Sequence, residues 1–429
     1  MKTKQRPSYK ITLEQILYGG IIALIVAMPF HAFLTIYFDN LLHSGHALQA
    51  WKEVIIIALA IIAAIYLLNK KESRPKLDKL NYIVVAIIIL ALAISLIRFG
   101  SLSALIFGLK TDLMPLVVFV LAQIVASRFD DAKVYSLVVW PAFIVSLLAI
   151  LQALAIPPDF LAGLGYNSST IIPAQYVDST TMVVRAFSTL GGPNQLGAYL
   201  ILPVTLVTAK LVNKFDGKKF VILATLLVGL YLTYSRSAWL GAALAILTTV
   251  IVGVGKKTRL KFLIGLGVAG IIGLLFIASR NFCDPNNTIQ YYLLHGSCTN
   301  NLLKGSDQIR LTSLKSGLEA AYHNPLGKGL GTAGPASYHA IRSLITENWY
   351  LQIAIELGLA GLILFVAFFT VNAIALLKDS LDSKNIASLS LFASIIGLAG
   401  TNMFLHSFGD STLAIILFAM LGIQHGRRQ

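Results

Sequence analysis

The chain has little charge. Asp, Glu, Lys and Arg make up 12% of 429 residues, where a soluble domain carries about 25%. Acids are the scarcer sign, 19 against 34 Lys and Arg. A water-facing globule is excluded, because 56% of the residues are hydrophobic and most of the surface must meet lipid. Cysteine is scarce too. Cys283 and Cys298 are the two present, and no histidine pair stands at zinc spacing, so the pattern argues against a metal site. A small-residue cleavage site is also lacking after the basic start MKTKQRPSYK, so no cleavable signal peptide is expected. The net charge of +15 does not point to nucleic acid. Its Lys and Arg recur in short loops between apolar runs, instead of on one domain.

Apolar segments run at 16–38, 54–68, 81–97, 113–127, 134–156, 194–212, 219–235, 237–255, 261–279, 349–377, 386–405 and 409–424. The pattern predicts an all-α polytopic membrane protein of about twelve transmembrane helices. Five regions follow: a bundle of five helices over 1–156, an extracytoplasmic loop at 157–193, central helices six to nine over 194–279, a large extracytoplasmic loop with short helices at 280–348, and the last three helices over 349–429. With the N-terminus inside, inner segments hold 23 of the 34 Lys and Arg, which sets the orientation. Both termini are then expected in the cytoplasm. No internal repeat is visible. Cys283 and Cys298 fall in the second outer loop, where the oxidising side permits a disulfide. Two unpaired thiols are the alternative.

The stretch 220–254 is apolar except near Arg236. As one helix it would reach about 52 Å, far beyond the hydrocarbon of about 30 Å. The chain must therefore reverse near Arg236, at the membrane boundary. Such an arginine either faces a cavity with an anionic partner or snorkels to lipid headgroups.

In the second loop, Ser306-Asp307 can cap a helix that stops at His323-Asn324-Pro325. Arg310 lies in its first turn, where the macrodipole disfavours a cation; an anionic partner or solvent would offset that. The glycines from Gly327 to Gly331 either bring backbone N–H groups to an anion or make a flexible loop. His323 and His339 are candidate bases, or polar loop residues. Glu347 precedes the tenth helix, where the dipole favours a carboxylate; a general base is the functional reading. Asn348, Gln352 and Glu356 share one face. Glu356 lies inside the apolar run and needs a partner or a proton. Gly358 and Gly361 either admit a neighbouring helix or weaken their own.

Four segments carry a resemblance: Arg185-Ala-Phe-Ser-Thr-Leu-Gly-Gly-Pro-Asn194, Tyr231-Leu-Thr-Tyr-Ser-Arg-Ser-Ala-Trp-Leu-Gly241, Arg310 with His323-Asn-Pro-Leu-Gly-Lys-Gly-Leu-Gly331, and Glu347-Asn-Trp-Tyr-Leu-Gln-Ile-Ala-Ile-Glu-Leu-Gly-Leu-Ala-Gly361. In order, spacing and side of the membrane they resemble the O-antigen ligase and O-antigen polymerase superfamily of bacterial envelope polysaccharide biosynthesis. The resemblance implies a GT-C-like architecture in the plasma membrane. It implies an inverting, metal-independent glycosyltransferase without cofactor, whose donor is a glycan on undecaprenyl diphosphate and whose acceptor is a glycan, glycolipid or other envelope molecule. Arg236 and Arg310 match the family's arginines and would neutralise the diphosphate. Glu347 would orient or deprotonate the acceptor. Arg185, Arg342, Asn348, His323 and His339 would bind substrate. In the ligases a histidine stands where Glu347 stands here, which weakens a lipopolysaccharide-ligase assignment. A polymerase and a ligase using another acceptor both stay open. A twelve-helix transporter or glycolipid flippase is the alternative of a different class.

Overall fold

The computed structural model describes residues 12–43, 47–70, 77–177, 182–255, 306–340 and 343–429. Helices dominate it; the β structure among these residues is one isolated antiparallel bridge between Tyr176 and Val184. We number the helices α1 (Leu13–Ala27), α2 (His31–Leu42), α3 (Trp51–Asn69), α4 (Lys79–Ile97), α5 (Leu102–Gly108), α6 (Met114–Ile124), α7 (Asp131–Leu154), α8 (Pro193–Asn213), α9 (Gly217–Tyr231), α10 (Arg236–Gly253), α11 (Ser306–His323), α12 (Trp349–Asp382), α13 (Ile386–Thr401) and α14 (Ser411–Gly426). Every predicted apolar segment meets a helix except 261–279, which lies outside the described residues.

Among the described residues, eight helical stretches are long and apolar enough to cross a membrane. The first, Leu13–Leu42, joins α1 to α2 through a 3-10 turn at Met28-Pro29-Phe30, where proline ends the α ladder. The fourth begins at Leu102, well before the predicted 113, and passes a π-helical turn at Leu109–Leu113 between α5 and α6. The two short apolar helices α13 and α14 complete the C-terminal end.

Burial sorts these helices into centre and rim. α8 and α14 are buried nearly all round, and helices of that kind stand inside a bundle. α3 and α4 instead expose Ile57, Ile61, Ile89 and Leu96, the apolar face that lipid covers. Small residues set the central spacing. Gly241 of α10 lies against α13 so closely that a methyl group there would strike Thr401 Oγ1 and the Gly397 carbonyl. We expect Gly241→Val to cost about 1–3 kcal/mol through overpacking. A lower melting temperature of the purified protein would register it.

One cluster of charges within the bundle is paired, which offsets the cost of a low dielectric. Lys52 is buried, 2.8 Å from His31 Nε2 and 3.1 Å from Glu53, which Lys110 also approaches to 2.8 Å.

α12 is broken. Gly358 adopts φ 68° and ψ −174°, a conformation that a side chain disfavours. The break frees carbonyls of the preceding turn. Lys328 N–H donates to Ile355 O at 2.8 Å and Gly329 N–H to Glu356 O at 2.9 Å, while Leu359 N–H returns to Pro325 O at 3.0 Å. The glycine run is thus stitched to the helix. A Cβ on Gly358 would strike the Pro325 carbonyl, so what packs against this glycine is the loop and no neighbouring helix, and the reading in which it weakens its own helix is the one found.

Candidate functional site: an arginine-lined cavity

Arg236 opens α10 directly after a four-residue reversal from α9, as the length argument requires. The turn is tight, and Tyr234 within it takes φ 49°. Arg310 stands in the first turns of α11, which spans the predicted bounds. Glu347 precedes α12 at φ 45°, a left-handed conformation that costs a non-glycine residue roughly 1–3 kcal/mol. That cost is met by what anchors the next residues. The Asn348 side chain accepts from Leu351 N–H at 3.0 Å, capping α12, and donates to Met403 O at 2.9 Å. Trp349 is buried beside Phe408, Phe365 and Phe369 at centroid distances of 5.1, 5.5 and 5.9 Å. Its backbone N–H reaches Asn402 O and Leu405 O.

These elements enclose a cavity of about 540 Å³. Arg236, Arg310 and Glu347 line it together, and Glu347 is the one acid in its lining among the described residues. Arg310 Nε donates to Glu347 Oε2 at 3.0 Å. The anionic partner that the helix dipole called for is therefore supplied by the chain itself. Leu240, Leu311, Leu314, Met403 and Phe404 make the apolar part of the wall, and all five are exposed to at least 36%.

Arg185 stands behind the two lining arginines. Its Nε donates to Thr233 O at 3.0 Å and its terminal nitrogen to Asn194 Oδ1 at 3.1 Å, so α8 and the α9–α10 turn both hold it. Burial first, and then the charges of Arg310 and Arg236, pull its pKa down to about 10. It stays protonated near neutral pH. Arg185 thus lies close enough to Arg310 and Arg236 to feel the charge of both.

The other expected residues fall elsewhere. Asn348 lines the cavity, but its amide is spent on the cap and on Met403. We expect Asn348→Ala to cost about 1 kcal/mol from the lost cap; thermal unfolding of the purified variant checks it. His323 ends α11 and is exposed, edge-on to Tyr322. His339 stacks on Phe107 of α5 at 3.5 Å between centroids. Neither lines the arginine cavity. Arg342, Cys283 and Cys298 lie outside the described residues. Among the described residues no three His, Cys, Asp or Glu side chains converge as a metal would require.

Sequence reasoning missed the partner of Glu356. Its Oε1 accepts from Gly331 N–H at 3.1 Å and Ala333 N–H at 3.2 Å, and the buried Asp112 carboxyl group is its neighbour. Gln352 Nε2 adds a long contact to Asp112 at 3.4 Å. The signal was hidden by a boundary: Asp112 stands one residue before the predicted segment 113–127, inside a helical stretch that begins at Leu102. The glycine run does bring N–H groups to an oxygen, and that oxygen is Glu356's.

Two comparisons bear on this geometry. A family described as O-antigen ligase matches residues 221–366, a stretch that holds Arg236, Arg310 and Glu347. An O-antigen polymerase of Salmonella muenchen is 22% identical over 331 residues, covering 76% of this chain and 80% of that protein. Over these residues the chain is similar to the O-antigen ligase family and to an O-antigen polymerase, and its apolar helices are long enough for a multi-pass membrane protein.

Proposed function

We propose that the protein transfers a glycan from undecaprenyl diphosphate to an acceptor hydroxyl at the outer face of the plasma membrane, both termini lying in the cytoplasm. One observation carries the reading: Arg236 and Arg310, 74 positions apart, line one cavity with Glu347 hydrogen-bonded to Arg310. The acceptor oxygen attacks the anomeric carbon in line and its proton passes to the Glu347 carboxylate. The bond from that carbon to the diphosphate oxygen breaks with inversion. Arg236 and Arg310 neutralise the charge that develops on the leaving diphosphate, the role for which a guanidinium fork is suited. Arg185 adds to the field from behind. The exposed Leu240, Met403 and Phe404 offer the polyprenyl chain an apolar entry from lipid. The residues do this work without a metal ion or cofactor.

Purified protein in proteoliposomes with lipid-linked glycan tests the reading. One undecaprenyl diphosphate should be released for each glycosidic bond formed, and a chelator should leave the rate unchanged. Glycan that crosses the bilayer with no diphosphate released would overturn transfer in favour of a carrier.

A further inference from the structure

α11 runs between two cavities. Arg310, Leu311 and Leu314 line the first, whereas Ala320, near the other end of the helix, lines a second of about 530 Å³. The surface of the helix divides into faces. Gly317 turns inward, and a methyl group there would press on Leu351 and Thr346 at 3.0 and 3.1 Å, so this face packs on α12 and the residues just before it. Thr312, Lys315, Ser316, Glu319 and His323 make an exposed polar face. Between the two runs an apolar stripe. Leu311, Leu314, Leu318 and Tyr322 follow one another at spacings of three, four and four residues, which keeps them on one side of a helix. All four are exposed. A helix turns such a stripe toward something apolar.

What covers the stripe is written at both of its ends. At one, Leu311 and Leu314 share the arginine cavity with Leu240, Met403 and Phe404, themselves exposed apolar side chains of the bundle. At the other, Leu326, three residues past the helix, is exposed and lines an apolar recess of about 260 Å³ with Leu90, Ile94 and Ile97 of α4. α4 is one of the helices whose outward face lipid covers, and Ile97 is 80% exposed. The stripe therefore joins two lipid-facing walls over about 16 Å of helix. An occupant continuous with both walls is the bilayer. The flanking residues agree: Lys315 can lay its stem on the apolar boundary and reach the headgroups, and tyrosine, here Tyr322, is favoured at that depth.

We propose that α11 is an interfacial helix, with its stripe lying in the leaflet beside the arginine cavity and the lipid surface as the partner that covers it. Arg310 stands one residue before Leu311, so the depth at which the stripe seats fixes the height of the guanidinium beside Glu347. The inference goes beyond the transfer reading and stands without it, because seating needs no substrate.

The test uses the full-length protein, one copy per nanodisc, in phosphatidylcholine whose acyl chains carry a diazirine, followed by peptide mapping. Label is expected on residues 311–322 as well as on residues 89–97 of α4. In a Leu318→Glu, Tyr322→Glu variant the first should fall by about fivefold or more, and the second should stay unchanged, which reports an intact fold. A Leu318→Phe, Tyr322→Trp variant keeps the stripe apolar and should label as the wild type does. Label on α4 with none on α11, or label on α11 that the charged variant leaves unchanged, would overturn the seating. So would label present at one copy per nanodisc and lost at two, which would assign the stripe to a second copy of the chain. Glycan transfer is the separate readout: the charged variant should lose about tenfold in rate and the apolar variant should not. A wild-type rate in the charged variant would mean that seating does not hold Arg310. Absence of transfer by the wild type would sink the transfer reading alone, since the labelling result needs no chemistry.

Discussion

Arg310→Ala should reduce the rate of undecaprenyl diphosphate release by about 10²–10³-fold, and Arg236→Ala by a similar factor. Each variant removes a fixed cation from the wall where the leaving diphosphate gains charge. Arg310→Ala does more, since it also unpairs Glu347 from its partner at 3.0 Å. Arg310→Lys should recover only part of the loss. A lysine restores the charge but not the two-pronged donor that matches phosphate oxygens. Glu347→Gln keeps the size and one acceptor, removes the proton-accepting carboxylate, and should lower kcat more than it raises KM. Measured release in proteoliposomes separates these cases. Wild-type rates in both alanine variants would mean that the diphosphate is bound elsewhere.

Glu356→Ala should be the most destabilising single change outside the cavity. Glu356 is fully buried and accepts from the backbone N–H groups of Gly331 and Ala333. Each N–H left without a partner costs about 1–3 kcal/mol. Asp112 would lose its buried neighbour in the same step. Glu356→Gln should be far milder, because its amide retains an oxygen for Gly331 and Ala333 and gains N–H donors for Asp112. Thermal unfolding in detergent compares the two. Equal melting temperatures for the alanine and glutamine variants would show that the carboxyl oxygen does not hold the loop.

These two predictions draw differently on sequence and structure. Apolar run lengths were enough to find the spanning helices, because the thickness of hydrocarbon dictates how many residues must cross it. The same arithmetic located the reversal at Arg236, and the Pro325 stop located the end of α11. Arg236 and Arg310 were legible as misfits, a cation in an apolar stretch and a cation at the wrong end of a dipole, whereas Glu347 stood where the dipole favours an acid. For each arginine an anionic partner was one of two readings, with lipid headgroups or solvent as the other.

Partnership is what the tertiary structure decided. Arg310 meets Glu347 across 37 positions, Arg185 meets Thr233 across 48, and Gln352 meets Asp112 across 240. The glycine run read first as a flexible loop and second as an anion cradle, and only its pairing with the broken α12 resolved it. The placing of α11 between two cavities has no signature along the chain at all. Sequence by itself determined which segments enter lipid and which polar residues have reason to be exceptional, since both follow from local transfer energies. Which exceptional residues meet was left to the packing of whole helices, because contacts between distant segments depend on shape and register that no local pattern encodes.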